Sequence, residues 1–448
     1  MKHPLVLALS LLVVGALAVS GCAPAATATS APPAAPATEA PAATQAPAAT
    51  GASSEAMAKT VTIGFTSSQT GSLNVSSTRQ YDGLKLWMEQ VNAAGGVKLA
   101  DGSAIMFQAQ TYDDESNKDR VQQLYTKLAT EDNADFLISP YSSGLTAAAA
   151  VIAQQYNKIM ITTGAADDNA YKQGYTLVYQ AYTPASHYLA GALDLLAKTD
   201  PSAKTIAVAY STDNFSTTVV TALKDYAESK GYNVPVFEGY DPATTDFSAL
   251  INKIQAASPD AVMGGGHFQD GSTFAKQLFE KKVGEKFFTL LVAPPENDFA
   301  QLGDAAFGVI GPSQWEPEVK FTEAAAQSAG WDWFGPTGDD FTSAYKAAYN
   351  EDPTYHSAGG YAAGLILQKA IEDAGSIDTA AVAAALDQMD MLTFYGHIQF
   401  DTSPDSHGLQ IGHDMVYVQW QKDSSGNLVK QIVWPEAGAT APVVYPLP

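Results

Sequence analysis

The stretch VTIGFTSSQTGSLNVSSTRQYDGLKLWMEQVNAAGG, from Val61 to Gly96, decides the architecture. Val61–Phe65 is a short apolar run of strand character, Thr78–Ala94 is amphipathic at helical spacing, and Gly95-Gly96 is a helix C-cap signal. Strand Ile105–Tyr112 follows, so the unit reads strand, helix, strand. Helix Ser116–Thr130 comes next, with Ser116 and Asp119 suited to its first turn. Short strands Phe136–Ser139 and Lys158–Thr162 then flank the alanine-rich segment Gly144–Tyr156. A second series runs through strand Thr205–Ala209, helix Ser216–Lys230, strand Val234–Tyr240 and helix Phe247–Ala257. It ends with strand Ala261–Gly264, helix Phe268–Lys282 and strand Phe288–Val292. Strands alternating with helices imply parallel, doubly wound sheets with right-handed crossovers, and two such series imply two α/β lobes.

Ligands of open parallel sheets bind beyond the carboxyl ends of the strands. The loops to inspect are therefore Thr66–Ser77, which contains Ser76, then Pro140–Leu145, Thr163–Asp168, Ser211–Ser216, Gly265–Gln269 and Ala293–Asp298. Several are rich in Ser, Thr, Gly and Asn, which offer neutral hydrogen bonds and close backbone approach. No phosphate loop and no Gly-x-Ser-x-Gly elbow occur, and Gly264-Gly265-Gly266 lacks the spacing of a dinucleotide fingerprint. The histidines form no metal-ligand pair, so neither a metal nor a cofactor is expected, and no activated nucleophile marks an enzyme. Asp113-Asp114-Glu115 reads as carboxylates favouring a helix N-terminus. His356 and His397 read equally as ordinary polar residues or ligand contacts.

The 448-residue chain carries 24 Lys+Arg against 47 Asp+Glu, a net charge of -23, which argues against nucleic acid as a partner. Met1-Lys2-His3 followed by the apolar run Leu5–Val19 has the form of a secretory signal, too short for the roughly 20 residues of a membrane span. The run ends in Val19-Ser20-Gly21-Cys22, and Cys22 is the only cysteine. This resembles the bacterial lipobox, which implies cleavage after residue 21 and acylation of Cys22. Acyl chains contribute about 0.8 kcal/mol per buried CH₂, enough together for a stable anchor. Residues 23–58, nearly all Ala, Pro, Thr and Ser, read as a disordered tether. Its reach is on the order of 110 Å extended, or roughly 30–36 Å as a coil.

A run of motifs then points to one family. Ile63-Gly64-Phe65 and Thr70-Gly71 precede Val91-Asn92-Ala93-Ala94-Gly95-Gly96-Val97, Tyr112-Asp113-Asp114 and Ser139-Pro140-Tyr141-Ser142-Ser143-Gly144. Asp246-Phe247-Ser248-Ala249-Leu250-Ile251, Tyr361-Ala362-Ala363-Gly364, Tyr395–Asp401 and Val433-Trp434-Pro435 follow in order. Together they resemble the branched-chain amino acid (leucine-binding protein-like) substrate-binding proteins of ABC transporters, over residues 59–448. The resemblance implies the type I periplasmic binding fold, two α/β lobes joined by a hinge of three crossings. It places lobe 1 at 59–182 plus 314–394 and lobe 2 at 183–313 plus 395–448.

For the site, the resemblance implies that Ser142 and Ser143 hold a ligand carboxylate, since donors to an anion make strong charge-assisted hydrogen bonds. Thr163, Gly164 and Ala165 form the next contact loop, and Ala166 stands where many relatives carry threonine. Phe215 and His267 fall at aromatic positions that are often tyrosine. Glu296 lies near the acidic partner of the ligand amine, and Tyr361 matches a pocket tyrosine. Trp315, Trp331 and Trp333 are candidates either for a lid or for packing on the core. The departures leave open an amino acid, an amide, a urea-like compound or an aromatic acid. The implied role is an extracytoplasmic, lipid-anchored monomer that captures such a ligand and delivers it to ABC permease and ATPase subunits. The membrane is met through the anchor alone. A ligand sensor of the amide-regulator type on the same fold is the alternative, and a secreted hydrolase a remote third.

Overall fold

The computed structural model describes residues 58–99 and 101–447. The expected signal segment, Cys22 and the tether up to Met57 lie outside the described residues. Two sheets organise the chain. The first has six strands in the order Val97–Lys98, Ala104–Asp113, Ala58–Ser67, Phe136–Ile138, Met160–Thr162, Val178–Gln180. All its pairings are parallel except that of the Val97–Lys98 edge strand. Ala58, at the expected end of the tether, already pairs with Ala104.

The second sheet has seven strands in the order Leu428–Trp434, Val416–Lys422, Ile310–Ser313, Phe287–Leu290, Ala261–Gly265, Thr205–Ser211, Asn233–Tyr240. Five are parallel, and Val416–Lys422 and Leu428–Trp434 add an antiparallel edge hairpin. The chain thus enters this sheet at Thr205, leaves it after Ser313 and returns at Val416. A small third sheet joins Asp332–Trp333, Asp390–Leu392 and His397–Gln399. The sheets and their flanking helices form the mixed α/β, type I periplasmic binding fold.

Apolar side chains on facing helices decide the packing of the first lobe. Helix Asn74–Ala93 lies along helix Tyr355–Ala374, with Leu84, Trp87, Leu365 and Ile366 buried in a common core. The helices approach closely because Gly360 has no side chain: a Cβ there would lie 2.0 Å from the Gln80 carbonyl oxygen.

Two helix starts differ from the sequence reading. The first helix begins at Asn74 rather than Thr78, with Ser77 N–H already donating to the Leu73 carbonyl, so Ser76 lies in its first turn instead of a loop. The second begins at Lys118, and Asn117 rather than Ser116 caps it by accepting from Arg120 N–H at 3.0 Å. Ser116 takes a left-handed φ of 57° and donates its hydroxyl to the Thr70 carbonyl. Asp113 and Asp114 do not cap that helix either. Asp114 is buried and accepts from the Thr66 hydroxyl at 2.6 Å and the Ser68 hydroxyl at 2.5 Å, tying down the loop after the first strand.

Candidate ligand cleft

In each parallel sheet the strand order reverses once, between Ala58–Ser67 and Phe136–Ile138 in the first and between Thr205–Ser211 and Ala261–Gly265 in the second. Connections leave opposite faces at such a point, so a crevice opens beyond the strand ends. The two crevices face one another. Between them lies a cavity of about 10 Å³, room for about one water molecule and far below the usual range for drug-sized ligands. From the first lobe come Tyr141, Ser142, Ser143, Gly164, Ala166, Tyr355 and His356, and from the second Phe215, His267 and Val292. Tyr182 and Tyr188, from the segment joining the two sheets, complete the lining.

Five of the residues proposed from sequence meet here: Ser142, Ser143, Gly164, Phe215 and His267. Ser143 Oγ accepts from the backbone N–H groups of Ala166 (3.0 Å) and Asp167 (3.2 Å), fixing the loop opposite. Gly164 has φ +67°, and a Cβ would lie 2.1 Å from Gln80 Oε1, so only glycine suits this turn. Thr163 and Ala165 flank it but are turned into the protein. Thr163 N–H donates to Ser139 Oγ at 3.1 Å, and the Ala165 carbonyl accepts from Gln180 Nε2 at 3.4 Å.

Three proposed residues stand away from the cavity lining. Tyr361 is buried against Phe341 and Phe394 and donates to Gln90 Oε1 at 2.6 Å, because it lies more than one turn along a helix whose first residues, Tyr355 and His356, are the ones at the cavity. Glu296, wholly buried, accepts from the Ser76 hydroxyl at 2.6 Å and from Arg79 Nη1 at 2.7 Å, and His356 Nδ1 lies 2.8 Å away. Ser76 therefore serves Glu296. Of the tryptophans, Trp315 packs edge-on to Phe341 and Phe394 in the core and Trp331 stacks on His397 at 3.8 Å; none of the three lines the cavity.

Side chains link the lobes at several places beside the cavity, and two of these crossings carry an ion pair or an ionisable ring. In the first, Arg79 binds Glu296 and also Asp298 at 2.8 Å, with Glu351 at 3.4 Å. Burial opposes charge on both partners of the Arg79–Glu296 pair. The neighbouring His356, Arg79 and Ser76 nevertheless hold the Glu296 carboxyl down at about 2, and the surrounding carboxylates raise the Arg79 pKa above its ordinary value. Burial lowers the His356 pKa, with Glu296 pulling the other way. In the second crossing, the Tyr141 hydroxyl meets His267 Nδ1 at 2.8 Å, and Asp213 Oδ1 lies 3.7 Å from His267 Nε2. Burial disfavours the His267 cation, but Asp213 and Asp270 outweigh it and raise its pKa.

Arg79, Tyr141, Tyr182, Tyr188, Tyr355 and His356 were not among the proposed site residues. A signal existed for two of them: Arg79 is one of two arginines in the whole chain, and Tyr141 precedes the proposed Ser142. His356 was weighed equally as an ordinary polar residue or a ligand contact, and nothing local marks Tyr182, Tyr188 and Tyr355, which come to the cavity from distant segments. Among the described residues no group of three or more His, Cys, Asp or Glu is placed to hold a metal ion. No helix among them is long and apolar enough to cross a membrane.

A family model described as "Periplasmic binding protein" matches residues 60–426. A Leu-, Ile-, Val-, Thr- and Ala-binding protein of Pseudomonas aeruginosa is 26% identical over 376 residues, covering 83% of this chain and 93% of that one. Among solved structures, the branched-chain amino acid transporter substrate-binding protein of Streptococcus pneumoniae, in complex with isoleucine, superposes with a TM-score of 0.66 at 19% identity, covering 83% of this chain and 100% of that one. A solute-binding protein of an R. palustris ABC transporter, in complex with benzoate, gives 0.68 at 19% identity, covering 86% and 98%.

Proposed function

Since the chain belongs to the periplasmic binding protein family, whose members capture solutes, we propose that it takes up a small carboxylate-bearing solute between its lobes and delivers it to an ABC importer. One observation carries this reading: a small cavity lies beyond the strand ends of both sheets, with side chains from each lobe in its wall. A ligand touching both walls favours the closed arrangement by its greater affinity for it, which is how capture becomes a signal to the permease. Isoleucine and benzoate, bound by the two structural neighbours, share a carboxylate on an apolar body. Ser142 and Ser143, at the start of helix Ser143–Gln155, are suited to that carboxylate.

A thermal-shift screen of the full chain against amino acids, small acids and amides tests the reading. A true ligand at 100 times its Kd stabilises by about 2.7 kcal/mol and raises Tm accordingly. Silence across all three classes would remove it. The protein is proposed to work outside the cytoplasm as a monomer held by acylated Cys22. Cys22→Ala is expected to move it from the membrane fraction to the supernatant, and retention at the membrane would rule out the lipid anchor.

A further inference from the structure

The lining of the cavity contains no carboxylate. Its ionisable side chains are tyrosines and the two histidines His267 and His356. The acidic residues around it are engaged by the protein's own donors. Both oxygens of Glu296 are taken, by Ser76 and Arg79, with His356 standing between Glu296 and the cavity. Asp213 accepts from Ser216 N–H and Oγ, and Asp270 from His267 N–H and the Tyr240 hydroxyl. A ligand ammonium finds no free counter-charge at Glu296 unless it displaces a buried guanidinium.

The cavity is instead arranged for negative charge. Four helices start at it: Ser142 caps one, Phe215 lies in the first turn of the second, His267 caps the third, and Tyr355 and His356 open the fourth. Their N-terminal dipoles favour an anion. An independent sign of a missing partner is the wall itself. His356 Nε2 is buried at the cavity with no hydrogen-bond partner among the described residues. Buried polar groups are rarely left so unless something binds them. The remaining wall is flat and apolar, from Tyr141, Tyr188, Phe215 and Val292.

From this geometry we infer that Arg79 cancels the charge an α-ammonium group would need, so that the cleft selects a small monocarboxylate with a flat apolar body and no amine. The inference rests on the solute-capture reading and narrows its ligand class. Calorimetric titration of the full chain with benzoate, benzamide, L-phenylalanine and L-leucine tests it. Benzoate is expected to bind at least about 100-fold more tightly than either amino acid, the scale of an unpaired buried charge. An amino acid or benzamide binding as well as benzoate overturns the ligand class but leaves solute capture standing. No binding by any of the four overturns the ligand class, while solute capture stands or falls on the wider thermal screen. In Arg79→Gln, which exposes the Glu296 charge, the benzoate-to-phenylalanine ratio is expected to fall at least about tenfold; an unchanged ratio overturns the role given to Arg79. Glu296→Gln supplies a second variant. It is expected to keep the acid-over-amino-acid ranking, and a selective loss of amino-acid binding would mean that Glu296 meets an ammonium after all.

Discussion

The two crossings beside the cavity join the same pair of lobes by different chemistry. At one, Arg79 on the first helix is clasped by Glu296 and Asp298, a buried pair of permanent charges. At the other, Tyr141 shares a hydrogen bond with His267, whose charge depends on pH and is steadied by Asp213. The first crossing keeps its charges over most of the pH range and fixes the charge beside the cavity. The second responds to the solvent while adding little net charge.

The largest effect should come from breaking the first crossing. Arg79→Ala takes the guanidinium from the buried Glu296 carboxylate and leaves it only Ser76 and His356; removing one partner of a buried ion pair typically costs about 3–5 kcal/mol. Chemical unfolding should show that loss; a change under about 1 kcal/mol, the worth of an exposed pair, would mean the clasp is not formed in solution.

Titration sharpens the contrast. Glu296 is held at about 2 against an ordinary 4.5, so its contribution is fully present above pH 4.5 and is lost as pH falls toward 2. That amounts to about 3 kcal/mol. His267 is shifted upward from 6.5, so its contribution is present below pH 6.5 and is lost as pH rises through the higher folded value. Melting curves against pH should therefore show Glu296→Gln flattening the acid limb and His267→Gln the neutral-to-alkaline limb. Both variants altering the same limb would erase the distinction between the crossings.

The smallest effect is expected away from both. Tyr361→Phe removes one hydrogen bond, to Gln90, and should cost about 1 kcal/mol of stability while leaving ligand affinity unchanged. A loss of affinity would return Tyr361 to the cavity.

Much of this molecule was readable from sequence because its signals are local. Val61–Phe65, Ile105–Tyr112 and Thr205–Ala209 all lie within observed strands, and the loops after the strands did supply Ser142, Ser143, Gly164, Phe215 and His267. Helix starts were less readable. Asn74 and Asn117 depend on which carbonyl or side chain accepts the first N–H groups, and Ser116 was diverted by its bond to Thr70. Tyr361 misled because its motif lies on the right helix, one that brings a different turn to the cavity.

Alternating strands and helices, with small polar residues after the strands, determined the architecture and the place of the cavity, since periodicity and the topology of parallel sheets follow from short-range order. The partners of Glu296 belong to the tertiary structure alone. Arg79 and Ser76 stand more than 200 residues away in sequence, and only the meeting of two lobes puts a guanidinium, rather than a ligand amine, against that carboxylate. Charge pairing across a cleft is a property of the closed fold, and no local pattern in the chain encodes it.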